Sequence, residues 1–315
     1  MSEYDWTWIH RRMLNDGIRT EAFRDAIEKT VKPGDIVADV GAGTGILSLF
    51  AARAGAARVY AIERTPTIEQ AKAIAKANGM QDQIEFISTE ATKAKLPEKV
   101  DVIVSEWIGN GGVEEDMFPA VLSVRDRYLK PGGVMIPATM TAFLAPIESA
   151  GAFSLIDDFK TDVYGFDYTP MRAKALDELH LTHFTPEQIL AKAEVVATFD
   201  THTVQEPYYQ TSSIFTLVRD GRLHGLAGWF DSLIADGVKI QTSPDAPWTH
   251  WYHVYYPIPD AVAVRQAELV RTMIEAAPGV TNVAWRWKVE VFEGEKALKN
   301  NSPRATFEHG NVGQT

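Results

Sequence analysis

The chain has 315 residues, 45% of them hydrophobic and 23% charged, which is ordinary for a globular chain of two domains or one large one. Its 42 acidic and 31 basic side chains give a net charge of -11, which argues against a duplex-binding surface and suits a cationic substrate. Cysteine is absent, which excludes disulfides, a thiolate nucleophile and Cys-ligated zinc.

The opening Met-Ser-Glu-Tyr-Asp-Trp has neither the basic start nor the apolar core of a secretory leader. No uncharged apolar stretch reaches the about 18 residues of a membrane span. A cytoplasmic protein with no membrane or nucleic-acid partner is expected. Residues 1–30 read as a helical segment, with Trp6, Ile9, Met13, Ile18, Ala22, Phe23 and Ile27 at helical spacing and a break at Asp16-Gly17. Lys32-Pro33-Gly34 closes it.

Ile36–Val40 is a β-branched apolar run, predicted to be a buried parallel strand. Gly41-Ala42-Gly43-Thr44-Gly45 follows, where the strand must turn into a helix led by Ile46, Leu47, Leu49 and Phe50. Glycine permits the sharp turn and the close approach of a ligand. Val59–Ile62 is a second buried strand ending on Glu63, about 20 residues past the glycines, where an acid can hold ribose hydroxyls. The third glycine comes one place earlier than in dinucleotide sites. With Asp39 two residues before Gly41, the spacing resembles the first motif of the class I S-adenosylmethionine (SAM) methyltransferases. SAM has no pyrophosphate for a helix N-terminus to grip; it has an amino acid end, a sulfonium and a ribose. SAM is therefore favoured over NAD, with Asp39 near the ammonium group and Glu63 on the ribose.

A helix is predicted over residues 66–79, then a strand at Ile84–Ile87, with Glu90-Ala91 after it where adenine is held. A fourth strand covers Val100–Ser105, and Glu106-Trp107-Ile108-Gly109 sits past its carboxyl end, where open parallel sheets bind ligands. A helix over Met117–Leu129 is stopped by Lys130-Pro131-Gly132-Gly133. Four β-α units on this plan make a Rossmann-like SAM-binding domain over residues 31–138.

Past Pro137 the pattern changes to short alternating segments: Thr141–Pro146, Glu194–Phe199, Ser213–Val218, Gly225–Leu233, His253–Ile258 and Asn282–Phe292. Residues 139–315 are expected to form an all-β, barrel-like or sandwich domain. An insertion at about 150–190 holds helix-like Phe153–Lys160, then Val163–Asp167 and a helix started by Pro186, and reads as an arm that meets a partner. Trp285 and Trp287 alternate on one strand face and read as core. His180 and His183 are too few ligands for a metal site, so no metal is expected.

Three stretches point to one family. Ser105-Glu106-Trp107-Ile108-Gly109 with Glu115-Asp116-Met117 resembles the double-E loop of the protein arginine N-methyltransferases. Thr249-His250-Trp251 resembles their Thr-His-Trp loop, and Met13 to Thr20, with Asp16 and Arg19, is similar to the segment before their SAM motif. Val163–Asp167 resembles their dimerisation arm. The resemblance implies that Glu106 and Glu115 clamp the guanidinium, Arg19 binds the SAM carboxylate and Met13 borders the substrate nitrogens. It also implies that His250 pairs with Asp16 near the reacting centre, with Trp107 and Trp251 at the substrate pocket, in a homodimer. Two departures stand out: a short aromatic lid, with Tyr4 in register, and Asn110-Gly111-Gly112-Val113 where the family carries bulkier residues. Both touch the substrate mouth, so arginine in a peptide or protein, free arginine and another small guanidine all stay open as substrates.

The chemistry explains the residue types. A guanidinium is charged at any working pH and is a poor nucleophile. Two carboxylates can fix its plane and draw charge toward the nitrogens they touch, leaving the third freer to attack. A SAM-binding regulatory partner without turnover is a rival reading, against which intact Glu106, Glu115 and His250 argue. An NAD-dependent oxidoreductase is disfavoured by the glycine spacing.

Overall fold

Helices α1 (Thr7–Asn15) and α2 (Gly17–Thr30) come first in the computed structural model, which describes residues 7–115, 117–160, 162–279 and 282–311. Tyr4, Trp6 and Asp116 lie outside the described residues. The break at Asp16 is a cap: its carboxylate accepts the Arg19 backbone N–H at 3.0 Å and starts α2.

The first sheet contains β1 (Ile36–Val40), β2 (Arg58–Glu63), β3 (Ile84–Ser88), β4 (Val100–Val104) and β5 (Leu129–Ile136). All neighbours are parallel, in the order β3-β2-β1-β4-β5. Val37, Ala38, Val59, Ala61, Val102 and Ile103 are buried, as a sheet covered on both faces requires. The crossovers are α3 (Ile46–Arg53), α4 (Thr67–Ala77) and α5 (Phe118–Tyr128), with a single 3-10 turn at Ala91–Lys93 between β3 and β4. The strand order reverses between β1 and β4, which opens a crevice at their carboxyl ends. β5 was not expected from the sequence. Pro131-Gly132-Gly133 does not simply stop the chain after α5; it forms the irregularity between the Val100–Leu129 pair and the Val102–Val134 pair.

The second half contains β6 (Thr139–Ile147), α6 (Ala150–Asp157), β7 (Asp162–Val163), β8 (Phe166–Asp167), α7 (Thr169–Leu176), β9 (His180–Thr182) and β10 (Glu194–Asp200). It continues through β11 (Tyr209–Thr216), β12 (Gly221–Ala235), β13 (Val238–Gln241), β14 (His253–Val264), β15 (Leu269–Pro278), β16 (Val283–Phe292), α8 (Glu295–Lys299) and β17 (Ala305–Gly310). Apart from β7 and β8, which pair with each other, these strands form two antiparallel sheets, β10-β6-β12-β14-β9 with β13 on β12, and β11-β15-β16-β17. Leu226, Phe230 and Ile258 of one sheet and Val270, Trp285 and Trp287 of the other belong to one core cluster, and the Trp287 indole N–H donates to the Pro257 carbonyl at 2.7 Å. The two halves are tied by Arg125 of α5, whose buried guanidinium donates to the carbonyls of Thr201 at 2.8 Å and Val204 at 2.7 Å.

The arm consists of α6 and α7 packed through Ile156, Ala175 and Leu176, with the β7–β8 hairpin at its tip. Tyr164 and Gly165 take left-handed dihedrals there, as a tight hairpin turn needs. The helix expected at Pro186 is one 3-10 turn, Pro186–Gln188. A capping box between Thr185 and Gln188 closes that turn, and Ile189 then bridges to Ile147, so the chain leaves as an extended segment. The arm's second helix is α7 instead.

Candidate active site

A cavity of about 610 Å³ lies at the carboxyl ends of β1, β2 and β4. It is roofed by Trp8, Ile9, Arg12 and Met13 of α1. Its floor is the turn after β1, where Gly41, Gly43 and Gly45 have φ of 75°, 54° and 83°. The positive φ at Gly41 favours glycine there, and a Cβ would also stand 2.4 Å from the Met117 Cε, so the end of that side chain would have to move. Gly45 does not line the cavity; it caps α3 and packs on Ala71.

Glu63 lines the cavity with its carboxylate held at both oxygens: Gly43 N–H donates to Oε2 at 2.9 Å and Thr65 N–H to Oε1 at 2.7 Å. Each oxygen keeps a lone pair for a ribose hydroxyl. Exchange of Glu63 for alanine is expected to weaken SAM binding by about 1.5–3 kcal/mol per charge-assisted bond lost. Unchanged affinity in a calorimetric titration would remove Glu63 from the site. Glu90 and Ala91 also line the cavity, with Glu90 paired to Lys93 at 2.6 Å.

Asp39 corrects the expected ammonium contact. It is 0% exposed and does not line the cavity. Neighbouring strand residues face opposite sides, so Val40 meets the cavity while Asp39 accepts the Ser48 hydroxyl of α3 at 2.6 Å. Its Oδ1 has no partner among the described residues. Burial pushes its pKa up to about 7, against the hydrogen bond from Ser48. A raised carboxyl pKa means that the native state binds the proton more tightly, so stability from this group falls as pH rises from about 4 to about 7. At about 1.4 kcal/mol per pH unit, the loss over that window is on the order of 4 kcal/mol. The Asp39→Asn variant is expected to lose this slope; melting curves from pH 5 to 8 that superimpose for the two proteins would refute it.

Glu106 stands at the end of β4. Its Oε2 accepts both Nε (3.0 Å) and Nη2 (2.8 Å) of Arg19, and its Oε1 accepts the Ile108 N–H at 3.0 Å. Glu115 lines the same cavity from the other end of the loop. His250 and Met13 line it as well. Asp16 lies behind His250, and its Oδ2 takes both the backbone N–H and Nδ1 of His250 at 2.7 Å.

The remaining two expectations divide. Trp251 lines the cavity and its indole donates to the Ile108 carbonyl at 2.8 Å. Trp107 does not line it: the ring is 1% exposed and stacks on Phe118 with centroids 3.7 Å apart. Its position next to Glu106 puts it on the opposite face, in the core between α5 and the second half. His180 and His183 have structural partners, the Ala175 carbonyl at 2.7 Å and the Trp248 indole N–H at 2.8 Å.

Several contacts at the site gave no sequence signal. Arg12 donates to the His250 carbonyl at 2.9 Å and lies over the Tyr252 ring at 5.3 Å. Asn110 accepts the Tyr252 N–H at 2.8 Å. These contacts join segments more than a hundred residues apart, so no local pattern announces them.

A doubly wound sheet with a switch-point cavity, a glycine turn and an acid on the second strand defines a class I SAM-dependent methyltransferase, here with a β domain appended. Residues 138–287 match the family model for the arginine methyltransferase oligomerization subdomain, and residues 20–136 match that for ribosomal protein L11 methyltransferase (PrmA). Protein arginine N-methyltransferase 1 of Schizosaccharomyces pombe is 36% identical, over 89% of this chain and 84% of that protein. Protein arginine N-methyltransferase 6 of Danio rerio is also 36% identical, with the same shares of 89% and 84%. Among solved structures, the Trypanosoma brucei PRMT1 enzyme-prozyme heterotetrameric complex with AdoHcy superimposes with a TM-score of 0.87 at 28% identity, covering 98% of this chain and 99% of that one. Protein arginine methyltransferase 10 of Arabidopsis thaliana, in an open conformation, gives 0.83 at 28%, covering 98% of each. This chain belongs to the protein arginine N-methyltransferase family.

Proposed function

We propose that this chain transfers a methyl group from SAM to a guanidino nitrogen of arginine in a peptide or protein, with Glu106 and Glu115 as the clamp. The observation that carries this is the forked contact of Arg19 on Glu106: the carboxylate at the end of β4 already accepts a guanidinium through two nitrogens. When both ligands enter, Arg19 turns to the cofactor's carboxylate and Glu106 takes the substrate guanidinium in its place. The residues fit the cofactor: the glycine turn leaves room against the backbone, and Glu63 offers lone pairs beside it.

SAM supplies an electrophilic methyl group on a sulfonium when bound. Glu106 and Glu115 hold the guanidinium plane so that one nitrogen faces that methyl in line, a placement that can contribute several kcal/mol. Their negative charge also offsets two cations brought close together. His250, fixed by Asp16 and by Arg12 at its carbonyl, is set to receive the proton that the methylated nitrogen sheds.

Free arginine is the second reading, and one feature favours it. Of the loop between the glutamates only Ile108 and Asn110 line the cavity with Glu106 and Glu115, so no aromatic side chain of the loop fills its mouth. Radiolabelled transfer to arginine-rich peptides and to free arginine, side by side, separates the two. Label on neither substrate would contradict both.

We further propose that the unit boundary falls near residue 138 and that the protein works as a cytoplasmic homodimer. No helix among the described residues is long and apolar enough to cross a membrane. The arm supports the dimer: Tyr164 is 96% and Phe166 67% exposed, and Leu155, Tyr168 and Met171 are exposed beside them. A monomer seldom leaves so many large apolar groups together in water. A two-fold dimer with each arm on the partner's SAM-binding half would cover them. Light scattering at micromolar concentration is expected to give twice the chain mass; a monomer would sink the proposal.

A further inference from the structure

A third glutamate, Glu114, sits between the clamp and the core. It does not line the cavity, although Glu115 beside it does. Its side chain folds back inside the loop, where Oε1 accepts the Gly111 N–H at 2.6 Å. Oε2 is buried without a partner among the described residues. The loop closes around this carboxyl by reciprocal backbone bonds, Gly109 N–H to the Gly112 carbonyl at 2.9 Å and Gly112 N–H to the Gly109 carbonyl at 3.2 Å.

The glycines follow from the same packing. A Cβ at Gly109 would stand 2.6 Å from the Glu114 Cδ, and one at Gly111 would stand 2.9 Å from Val254. Gly112 has a φ of 122° and no room beside Met140. The glycine-rich sequence that looked like an open mouth is thus the shell of an internal carboxyl group. The outer side of that shell carries the seat of the Thr-His-Trp loop: Ile108 accepts the Trp251 indole and Asn110 accepts the Tyr252 N–H.

We infer that Glu114 is a positioning residue, which acts through the loop it holds to set the separation of Glu106 from Glu115 and the seat of His250. It touches neither substrate nor cofactor. Burial raises its pKa against the pull of the backbone amides of residues 110, 111, 112 and 114. The role needs an acceptor for the Gly111 N–H and does not need a charge.

The inference rests on the arginine methyltransferase reading, and the test separates the two. Glu114→Gln keeps the acceptor; Glu114→Leu keeps the bulk and removes it. Gln is expected to hold kcat within about threefold of wild type. Leu is expected to lower it by about tenfold to a hundredfold, the scale of a misplacement of about 1 Å, and to raise KM for the guanidino substrate. SAM affinity is expected to stay within about twofold in both, since Glu114 lies outside the cavity. Gly109→Ala pushes on the same carboxyl from the other side and is expected to behave like Leu, which keeps the test open if the Leu protein does not fold. Amide exchange at residues 109–112 reads the loop without any turnover: protected in wild type and Gln, exposed in Leu and in Gly109→Ala.

Wild-type turnover in Leu, or protected amides there, would overturn the inference. A Gln variant as damaged as Leu would overturn it too, by showing that the charge matters. If wild type transfers no methyl to any guanidino substrate, the parent reading fails, and the exchange data still decide the loop.

Discussion

Glu106→Gln and Glu115→Gln should each lower turnover by about a hundredfold or more while SAM affinity stays near wild type. Glutamine keeps the shape of the clamp and one acceptor but removes the charge. A hydrogen bond to a charged group contributes about 1.5–3 kcal/mol, and about 1.4 kcal/mol is tenfold in rate. One carboxylate makes more than one such bond with a guanidinium, so a hundredfold is the lower end. The double variant should cost little more than either single one, because one loss already misplaces the nucleophile. Stability separates the two positions. Arg19 and Glu106 are both shielded, with side-chain exposures of 7% and 10%, so Glu106→Gln leaves a buried cation without its counter-charge and lowers the melting temperature. Glu115 is exposed, and its exchange should lower the melting temperature less than that of Glu106. Steady-state rates near wild type in both single variants would remove the clamp.

Asp16→Ala should have the next largest effect, on fold and activity together. One carboxylate serves three donors: the Arg19 N–H at 3.0 Å, and the backbone N–H and Nδ1 of His250 at 2.7 Å. Losing the helix cap costs about 1 kcal/mol. Leaving the buried His250 groups without an acceptor costs about 1–3 kcal/mol more for each. Burial alone would raise the Asp16 pKa, but the hydrogen bonds from His250 and Arg19 outweigh it, and the net shift is downward from 3.8. A lowered pKa stabilises the fold at pH values above about 4, and that stability is lost as pH falls through the lowered value. The Asp16→Ala variant should therefore show a shallower acid limb in a denaturation series as well as slow turnover. An unchanged acid limb with normal turnover would separate Asp16 from His250.

The sequence made the first half legible where chemistry is local. The strand, glycine turn and second strand around Gly41 and Glu63 are continuous, and each residue's neighbours explain it. Glu115, Arg19 and His250 came from motifs and meet in one cavity, since each lies close to the start of an element, α5, α2 and β14, at the same crevice. Asp39 and Trp107 were misplaced for one reason: each adjoins a cavity residue, Val40 and Glu106, and faces the other way. Alternation predicts that reversal for Asp39 once the strand's inner face is known, and only the sheet fixes that face. The contacts of Arg12 and Asn110 had no signal because their partners at 250 and 252 come from the other half of the fold. In the β domain, β9 and β13 are three and four residues long, too short for alternation to register. β17 pairs as an edge on β16, and its polar Glu308 and His309 hide the pattern.

Product analysis tests the central claim most directly. Wild-type protein is incubated with methyl-labelled SAM and an arginine-rich peptide, the peptide is hydrolysed in acid, and the labelled amino acid is identified by chromatography. The label should co-elute with methylated arginine and should nearly vanish with the Glu115→Gln protein. Label on lysine, label released as methanol from a carboxyl ester during the hydrolysis, or equal labelling by the two proteins would contradict a glutamate-clamped transfer to the guanidino group.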